Sequence, residues 1–227
     1  MKNAKNRKNK LFSPEYFWFD FVKLTAAPGI LWFRPKKLYE SEAAKKKIKG
    51  PAILISNHIG TIDPMYLMLV IWYRRHRFIC KSELMSSKRG AFWLKKFRCI
   101  PIDNGDMSFT AMRQITDVLK NGELVSMFPE GAVHTQSDTP SSFKSGMILM
   151  SLQGGAPIVP IYIKPRKHFY ERITAVIGEP FSVTEKYGER PKFSQIDEAA
   201  KLLHEKEMRL MQICNNYKNK KETDENG

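Results

Sequence analysis

The sequence predicts an α/β fold, a mixed central sheet flanked by helices, on three observations. Short β-rich runs bounded by Gly or Pro recur from residue 50 onward, stretches of helical periodicity separate them, and 227 residues with 42% hydrophobic content suffice for one such domain plus an appendage. The β-rich runs are 52–56, 78–80, 99–102, 124–128, 158–163 and 173–177; helical patterns cover 107–120, 143–153 and a charged 196–217. No internal repeat or low-complexity linker divides the chain. The expected partition is a basic tail and helical segment over 1–38, then an α/β domain over 39–227.

The first ten residues read as disordered, and Ser13-Pro14-Glu15 as an N-cap, a proline at the first helical position and an acid in the first turn. Pro28-Gly29 is expected to stop that helix, with a second apolar piece at 30–33 before Arg34, Lys36 and Lys37. At 100° per residue Ser13, Asp20 and Lys23 form a narrow polar stripe, while Leu11, Phe17, Trp18, Phe21, Val22 and Leu24 fill much of the remaining circumference. This amphipathic, aromatic, basic-flanked segment has the composition of a helix lying in a membrane interface, its cations holding anionic head groups at roughly 1 kcal/mol apiece. Packing on the protein's own core is the alternative. Glu15, Asp20 and Lys23 argue against a span, since each charge at the midplane costs about 2.5–3.5 kcal/mol. The later apolar run 65–73 is far short of the roughly 20 residues a crossing needs. Residues 218–227 read as a loose tail.

The excess of 38 basic over 23 acidic residues, a formal charge of +15, favours an anionic partner: a phospholipid surface, nucleic acid or phosphorylated substrates. Nucleic-acid binding calls for basic residues interleaved with stacking aromatics on a recognisable motif, and Trp93-Leu94-Lys95-Lys96-Phe97-Arg98 only hints at this. No nucleic acid is expected. Cys80, Cys99 and Cys214 are odd in number and widely spaced, which argues against a disulfide framework or thiolate zinc site and for a reducing, cytoplasmic setting.

Chemistry concentrates in Asn57-His58-Ile59-Gly60-Thr61-Ile62-Asp63-Pro64. Five residues on a regular helix rotate 500°, leaving His58 and Asp63 about 140° apart, so they meet only if a strand, a turn at Gly60 and Thr61, and a new helix intervene. Asp63 ahead of Pro64 also reads as a simple N-cap. Reactive groups in open α/β sheets gather beyond the carboxyl ends of strands, and both His58 and Glu130 come directly after expected strands.

Four blocks, Asn57-His58 to Asp63, Ile100-Pro101-Ile102-Asp103, Phe128-Pro129-Glu130-Gly131 and Ala156-Pro157-Ile158-Val159-Pro160-Ile161, occur in order. Smaller ones surround them: Lys81-Ser82-Glu83-Leu84, Phe143-Lys144-Ser145-Gly146 and Ile177-Gly178-Glu179-Pro180. This set, over about residues 50–181, resembles the glycerolipid acyltransferase family that includes 1-acylglycerol-3-phosphate acyltransferases. The resemblance implies transfer of a fatty acyl group from acyl-CoA or acyl carrier protein to a lysophospholipid hydroxyl, 1-acylglycerol-3-phosphate to phosphatidic acid first among them, at the cytoplasmic side of the cell membrane. His58 would be the general base and Asp63 its orienting carboxylate. Lys81 would lie near the phosphate site; Glu130 would hydrogen-bond acceptor hydroxyls; Gly131 would let backbone N–H groups approach the substrate; Asn57 and Lys144 complete the expected substrate-binding set, with Arg98 and His134 as further charge.

No Gly-x-Ser-x-Gly elbow occurs, so direct transfer is expected rather than an acyl-enzyme. No cofactor beyond the acyl donor is expected, and no metal, since His-Glu-x-x-His spacing is absent. Two phosphate-gripping arginines usual in the family, after the Pro-x-Asp element and two residues beyond the Phe-Pro-Glu-Gly glycine, are here Asn104 and Val133. A lysolipid lacking a terminal phosphate thus stays open as acceptor, and a noncatalytic basic module as the alternative of another class.

Overall fold

The computed structural model describes residues 16–32, 35–103, 108–129, 146–166, 168 and 171–225. Seven strands, β1 (Lys36–Tyr39), β2 (Ala52–Ser56), β3 (His76–Lys81), β4 (Ile100–Ile102), β5 (Leu124–Met127), β6 (Ile158–Ile163) and β7 (Thr174–Ile177), form one sheet in the order β1-β7-β6-β2-β5-β3-β4. The sheet is mixed: β6, β2, β5, β3 and β4 are mutually parallel, β7 runs antiparallel to β6, and β1 pairs parallel with β7. The helices are α1 (Phe17–Trp32), α2 (Asp63–Val70), α3 (Lys88–Lys96), α4 (Phe109–Lys120), α5 (Gly146–Gly154), α6 (Val183–Tyr187) and α7 (Phe193–Glu225).

The period-2 alternation of a strand divides the core between the two faces of the sheet. In β2, Ile53 and Ile55 pack with Ile115 and Leu119 of α4, Met147 and Ile148 of α5, and Leu203 of α7. Ala52 and Leu54, pointing the other way, join Leu67 and Val70 of α2. β2 is buried at every position, as expected of a central parallel strand covered on both faces. Its carboxyl end therefore delivers the chain from a rigid, dry surrounding, and the residues just past Ser56 start from a fixed point.

Gly178 shows why one block needs its residue. A Cβ there would stand 2.8 Å from the Pro160 ring and 3.1 Å from the Pro160 carbonyl oxygen, to which the Gly178 amide donates at 2.9 Å. The β6–β7 approach has no room for a side chain.

The expected strands 52–56 and 158–163 coincide with β2 and β6, and the other four expected runs each overlap a strand. Two expectations are corrected. The helix of the N-terminal segment does not stop at Pro28-Gly29 but continues to Trp32; an internal proline costs about 3 kcal/mol, which disfavours continuation without forbidding it. The tail is not loose from residue 218: α7 runs to Glu225, through a Lys- and Glu-rich stretch of good helix formers that meets no Pro or Gly before Gly227. Strand β1 has no signal in the sequence, because all four residues are half-buried and show no alternation, and it lies across the expected 38/39 partition. The expected disordered start and the Ser13-Pro14-Glu15 cap lie outside the described residues.

α1 docks on the amino end of the sheet. Phe19 is buried, lying near-parallel to His76 at 6.2 Å and edge-on to Phe97 at 6.5 Å. Asp20 takes Arg75 in a two-pronged ion pair of 3.1 and 2.5 Å. Trp18 meets Trp93 of α3 edge-on at 5.9 Å. Phe17, Phe21 and Leu24 remain exposed, as do Phe92 and Trp93. Among the described residues no helix is long and apolar enough to cross a membrane.

Candidate active site

The strand-turn-helix bend required by the His58–Asp63 spacing is present: β2 ends at Ser56, residues 57–62 turn, and α2 begins at Asp63. Asn57 fastens the start of the turn. Its amide NH₂ donates to the Ile163 carbonyl at 2.9 Å and its amide oxygen accepts from the Ile163 N–H at 2.8 Å, so one side chain occupies both backbone groups at the end of β6. Asn57 is 6% exposed. It positions the turn through the scaffold.

Asp63 is not the helix cap that the Asp-Pro pair suggests. The cap residue is Ile62, and the Asp63 side chain folds back over the turn. A single oxygen, Oδ2, accepts from the Ile59 N–H at 2.5 Å, the Gly60 N–H at 2.8 Å and His58 Nδ1 at 2.8 Å. Burying a carboxylate is tolerable only when it is so engaged, and Asp63 is 2% exposed.

The consequence for His58 is chemical. An ionised carboxylate is acceptor-only, so Nδ1 carries the proton, and in the neutral ring the lone pair lies on Nε2. Among the described residues nothing bonds to Nε2, and the His58 side chain is 18% exposed. The ring plane is set from one face by Phe128, stacked at 4.4 Å and 20°. The result is an imidazole fixed at one nitrogen and one face, at a site reachable from outside.

Phe128 also connects the two signatures. It comes just after β5, which pairs parallel with β2 in the register Ile55↔Met127, so the Phe-Pro-Glu-Gly block begins beside the His58 ring. Lys81 ends β3, the next strand beyond β5, and pairs with Ile102 of the Ile100-Pro101-Ile102-Asp103 block. At about 4.8 Å per strand, two strand spacings separate the His58 and Lys81 strands by roughly 10 Å. Among the described residues no carboxylate pairs with the Lys81 ammonium. The carboxyl edge thus gathers His58, Asp63, Phe128, Lys81 and Asp103. Glu130, Gly131, Lys144, Asn104, Val133 and His134 lie outside the described residues. Arg98 stands away from this edge: it precedes β4 at the amino end, with its guanidinium 4.7 Å over the Tyr16 ring.

Two sets of residues belong to the site although sequence reasoning does not single them out. Phe128 is visible as the first letter of its block, but nothing in sequence says that a Phe before Pro-Glu-Gly stacks on a histidine 70 positions earlier. Tyr66, Lys164 and Arg166 line a cleft of about 250 Å³ against residues 59–63; Lys164 and Arg166 have as their only signal the basic stretch after β6, and Tyr66, on α2, has none. Cys80, Cys99 and Cys214 are free thiols, in keeping with their spacing, and the Cys80 and Cys99 thiols interact so that Cys80 is held below the usual thiol range and Cys99 is pushed above it.

Over 56% of its length the chain is 29% identical to the 1-acyl-sn-glycerol-3-phosphate acyltransferase of Bacillus subtilis (strain 168), covering 65% of that protein. The enzyme of the same name from Streptococcus pneumoniae (strain ATCC BAA-255 / R6) is 25% identical over 59% of this chain and 51% of its own length. The chain therefore spans between half and 65% of these relatives. The crystal structure of the 1-acyl-sn-glycerophosphate acyltransferase of Thermotoga maritima superposes with a TM-score of 0.58 over 88% of this chain and 83% of that one; at 20% identity this likeness concerns the fold. A sequence model of the Acyltransferase family matches residues 36–164, from β1 through β6 and including the whole His58–Asp63 turn, and on that match the chain belongs to the Acyltransferase family.

Proposed function

We propose that this protein transfers a fatty acyl group from a thioester, acyl-CoA or acyl carrier protein, to the hydroxyl of a lysophospholipid, with 1-acylglycerol-3-phosphate as acceptor and phosphatidic acid as product. The observation that carries the proposal is the state of His58: Nδ1 is held by Asp63 at 2.8 Å and the ring by Phe128, which leaves Nε2 as the basic nitrogen. Family membership and the relatives' names support the reaction class.

In this reading Nε2 removes the acceptor's hydroxyl proton as its oxygen bonds to the thioester carbonyl carbon. Asp63 stabilises the imidazolium so formed. The tetrahedral intermediate collapses, the C–S bond breaks, and the imidazolium returns its proton to the departing thiolate. Atoms balance without a nucleophilic side chain, a metal or a further cofactor. Glu130, Gly131 and Lys144 remain assigned to substrate by the block resemblance, with Lys81 facing an anionic group.

The protein would work at the cytoplasmic face of a membrane, with α1 in the interface. Phe17, Phe21 and Leu24 are exposed on α1 beside exposed Phe92 and Trp93 of α3, and Lys95 and Lys96 lie in the same stretch. Apolar side chains rimmed by cations suit an anionic lipid surface.

A second reading keeps the chemistry and changes the acceptor to a lysolipid without a terminal phosphate, because Asn104 and Val133 stand where cations are usual. Purified protein assayed against a panel of lysolipids, with acyl-CoA and acyl carrier protein in parallel, separates the two. Transfer to 1-acylglycerol-3-phosphate upholds the first. Transfer only to zwitterionic or neutral lysolipids selects the second, and none to any acceptor leaves a noncatalytic membrane-binding module.

A further inference from the structure

We infer that the cleft on the β6 side of His58 binds a phosphate oxyanion of one of the two substrates, with Arg166 and Lys164 as its ligands; this rests on the acyl-transfer reading above. The cleft, about 250 Å³, lies between residues 59–63 and the segment after β6, so the turn that presents His58 is also its wall. Lys164, Arg166 and His168 line it, and among the described residues its single acidic lining group is Asp63. That carboxylate is already engaged by His58 and two backbone amides. The described lining is therefore electropositive.

Arg166 is held as a recognition group rather than left to sample solvent. Its guanidinium carbon sits 4.4 Å over the Tyr66 ring, one terminal nitrogen donates to the Tyr66 hydroxyl, and the other donates to the Glu171 carbonyl at 3.0 Å. A planar donor fork fixed by stacking loses less entropy on meeting an oxyanion than a free side chain does. Lys164 comes next after Ile163, the residue that Asn57 clamps, so it leaves the sheet one strand from His58.

The arrangement also answers a charge requirement. 1-Acylglycerol-3-phosphate carries a phosphate, as do the carrier arms of both thioester donors, so two anionic substrates must converge on Nε2. The strand order sets Lys164 and Arg166 on one side of His58 and Lys81 on the other. Each flank can then serve one substrate.

Calorimetric titration of the purified full chain with sn-glycerol 3-phosphate and, separately, with coenzyme A tests this without requiring turnover. The variants are Arg166→Gln and Lys164→Gln. Wild-type protein should bind at least one ligand, and R166Q should weaken that one by about ten- to a hundredfold, the loss expected for a charge-assisted contact. The KM of the matching substrate should rise in parallel with kcat held within about twofold, as when uniform binding is removed. Weakening of glycerol phosphate assigns the cleft to the acceptor; weakening of coenzyme A assigns it to the donor. Wild-type affinity for both ligands in R166Q overturns the inference, as does failure of the wild-type protein to bind either. If R166Q is unstable through its Tyr66 contact, K164Q decides by the same criteria. An absence of acyl transfer alongside Arg166-dependent phosphate binding would count against the catalytic reading alone.

Discussion

His58 and His76 lie at opposite ends of one sheet, two strands apart, and differ in what surrounds their second nitrogen. His76 begins β3 and is fully buried: Nδ1 meets Ser126 Oγ at 2.9 Å, Nε2 meets the Ile71 carbonyl at 3.2 Å, and the ring lies between Phe19 and Phe78. Both nitrogens are used, so the ring is a structural cross-link between β3, β5 and the end of α2. His58, at the carboxyl edge, has one nitrogen committed to Asp63 and one face to Phe128. In the proposed reaction a histidine can serve as a base where the fold satisfies half of it and leaves the other half to a substrate. The polar partners are of ordinary kinds at both sites; the difference is which end of the sheet the ring occupies.

If the two histidines divide chemistry and stability in this way, the largest effect on rate after that of His58 itself belongs to its partner. Asp63→Asn preserves shape but removes the charge that fixes the Nδ1 proton and stabilises the imidazolium, so kcat should fall roughly 10²-fold. A rate assay on protein with normal far-UV circular dichroism checks this, and a loss below threefold would detach Asp63 from the chemistry. His76→Ala should instead act on stability. It orphans Ser126 Oγ and the Ile71 carbonyl and opens a void between two aromatic rings, costing about 2–4 kcal/mol in a denaturant titration. Activity per folded molecule should stay within about threefold. The smallest effect is expected at Phe128, where Phe128→Leu keeps apolar bulk and loses the stack. A change in kcat of about two- to tenfold corresponds to the roughly 0.5–1.5 kcal/mol of such a pair. An unchanged kcat would mean that Asp63 alone sets the ring's orientation.

Much of the fold and part of the site are legible in the sequence, for identifiable reasons. β2 and β6 are continuous apolar runs bounded by turn residues, a pattern with few other uses, and the His58–Asp63 spacing is incompatible with one helix, so the bend is dictated by geometry. β1 is illegible because an edge strand buries half of each residue and needs no pattern; its pairing with β7, 138 positions away, decides it. The course of α1 past Pro28 is hidden because a proline is a local penalty and not always a boundary. At the site, Asn57 illustrates a different limit. Its position beside His58 suggests substrate binding, and both ends of its amide prove to be bonded to Ile163, a partner that only the sheet order brings near. Arg166 is hidden for the same reason: a basic stretch after a strand reads as surface until Tyr66 and Glu171 are found holding it.

Everything proposed about the reaction depends on His58 Nε2 being the base. The decisive measurement is the initial rate of acyl transfer to 1-acylglycerol-3-phosphate by His58→Ala against wild type, with both proteins purified and matched in melting temperature. A fall in kcat of roughly 10²–10⁴, the range for losing a general base, is the expected result. Turnover within about threefold of wild type by a folded His58→Ala protein would contradict it.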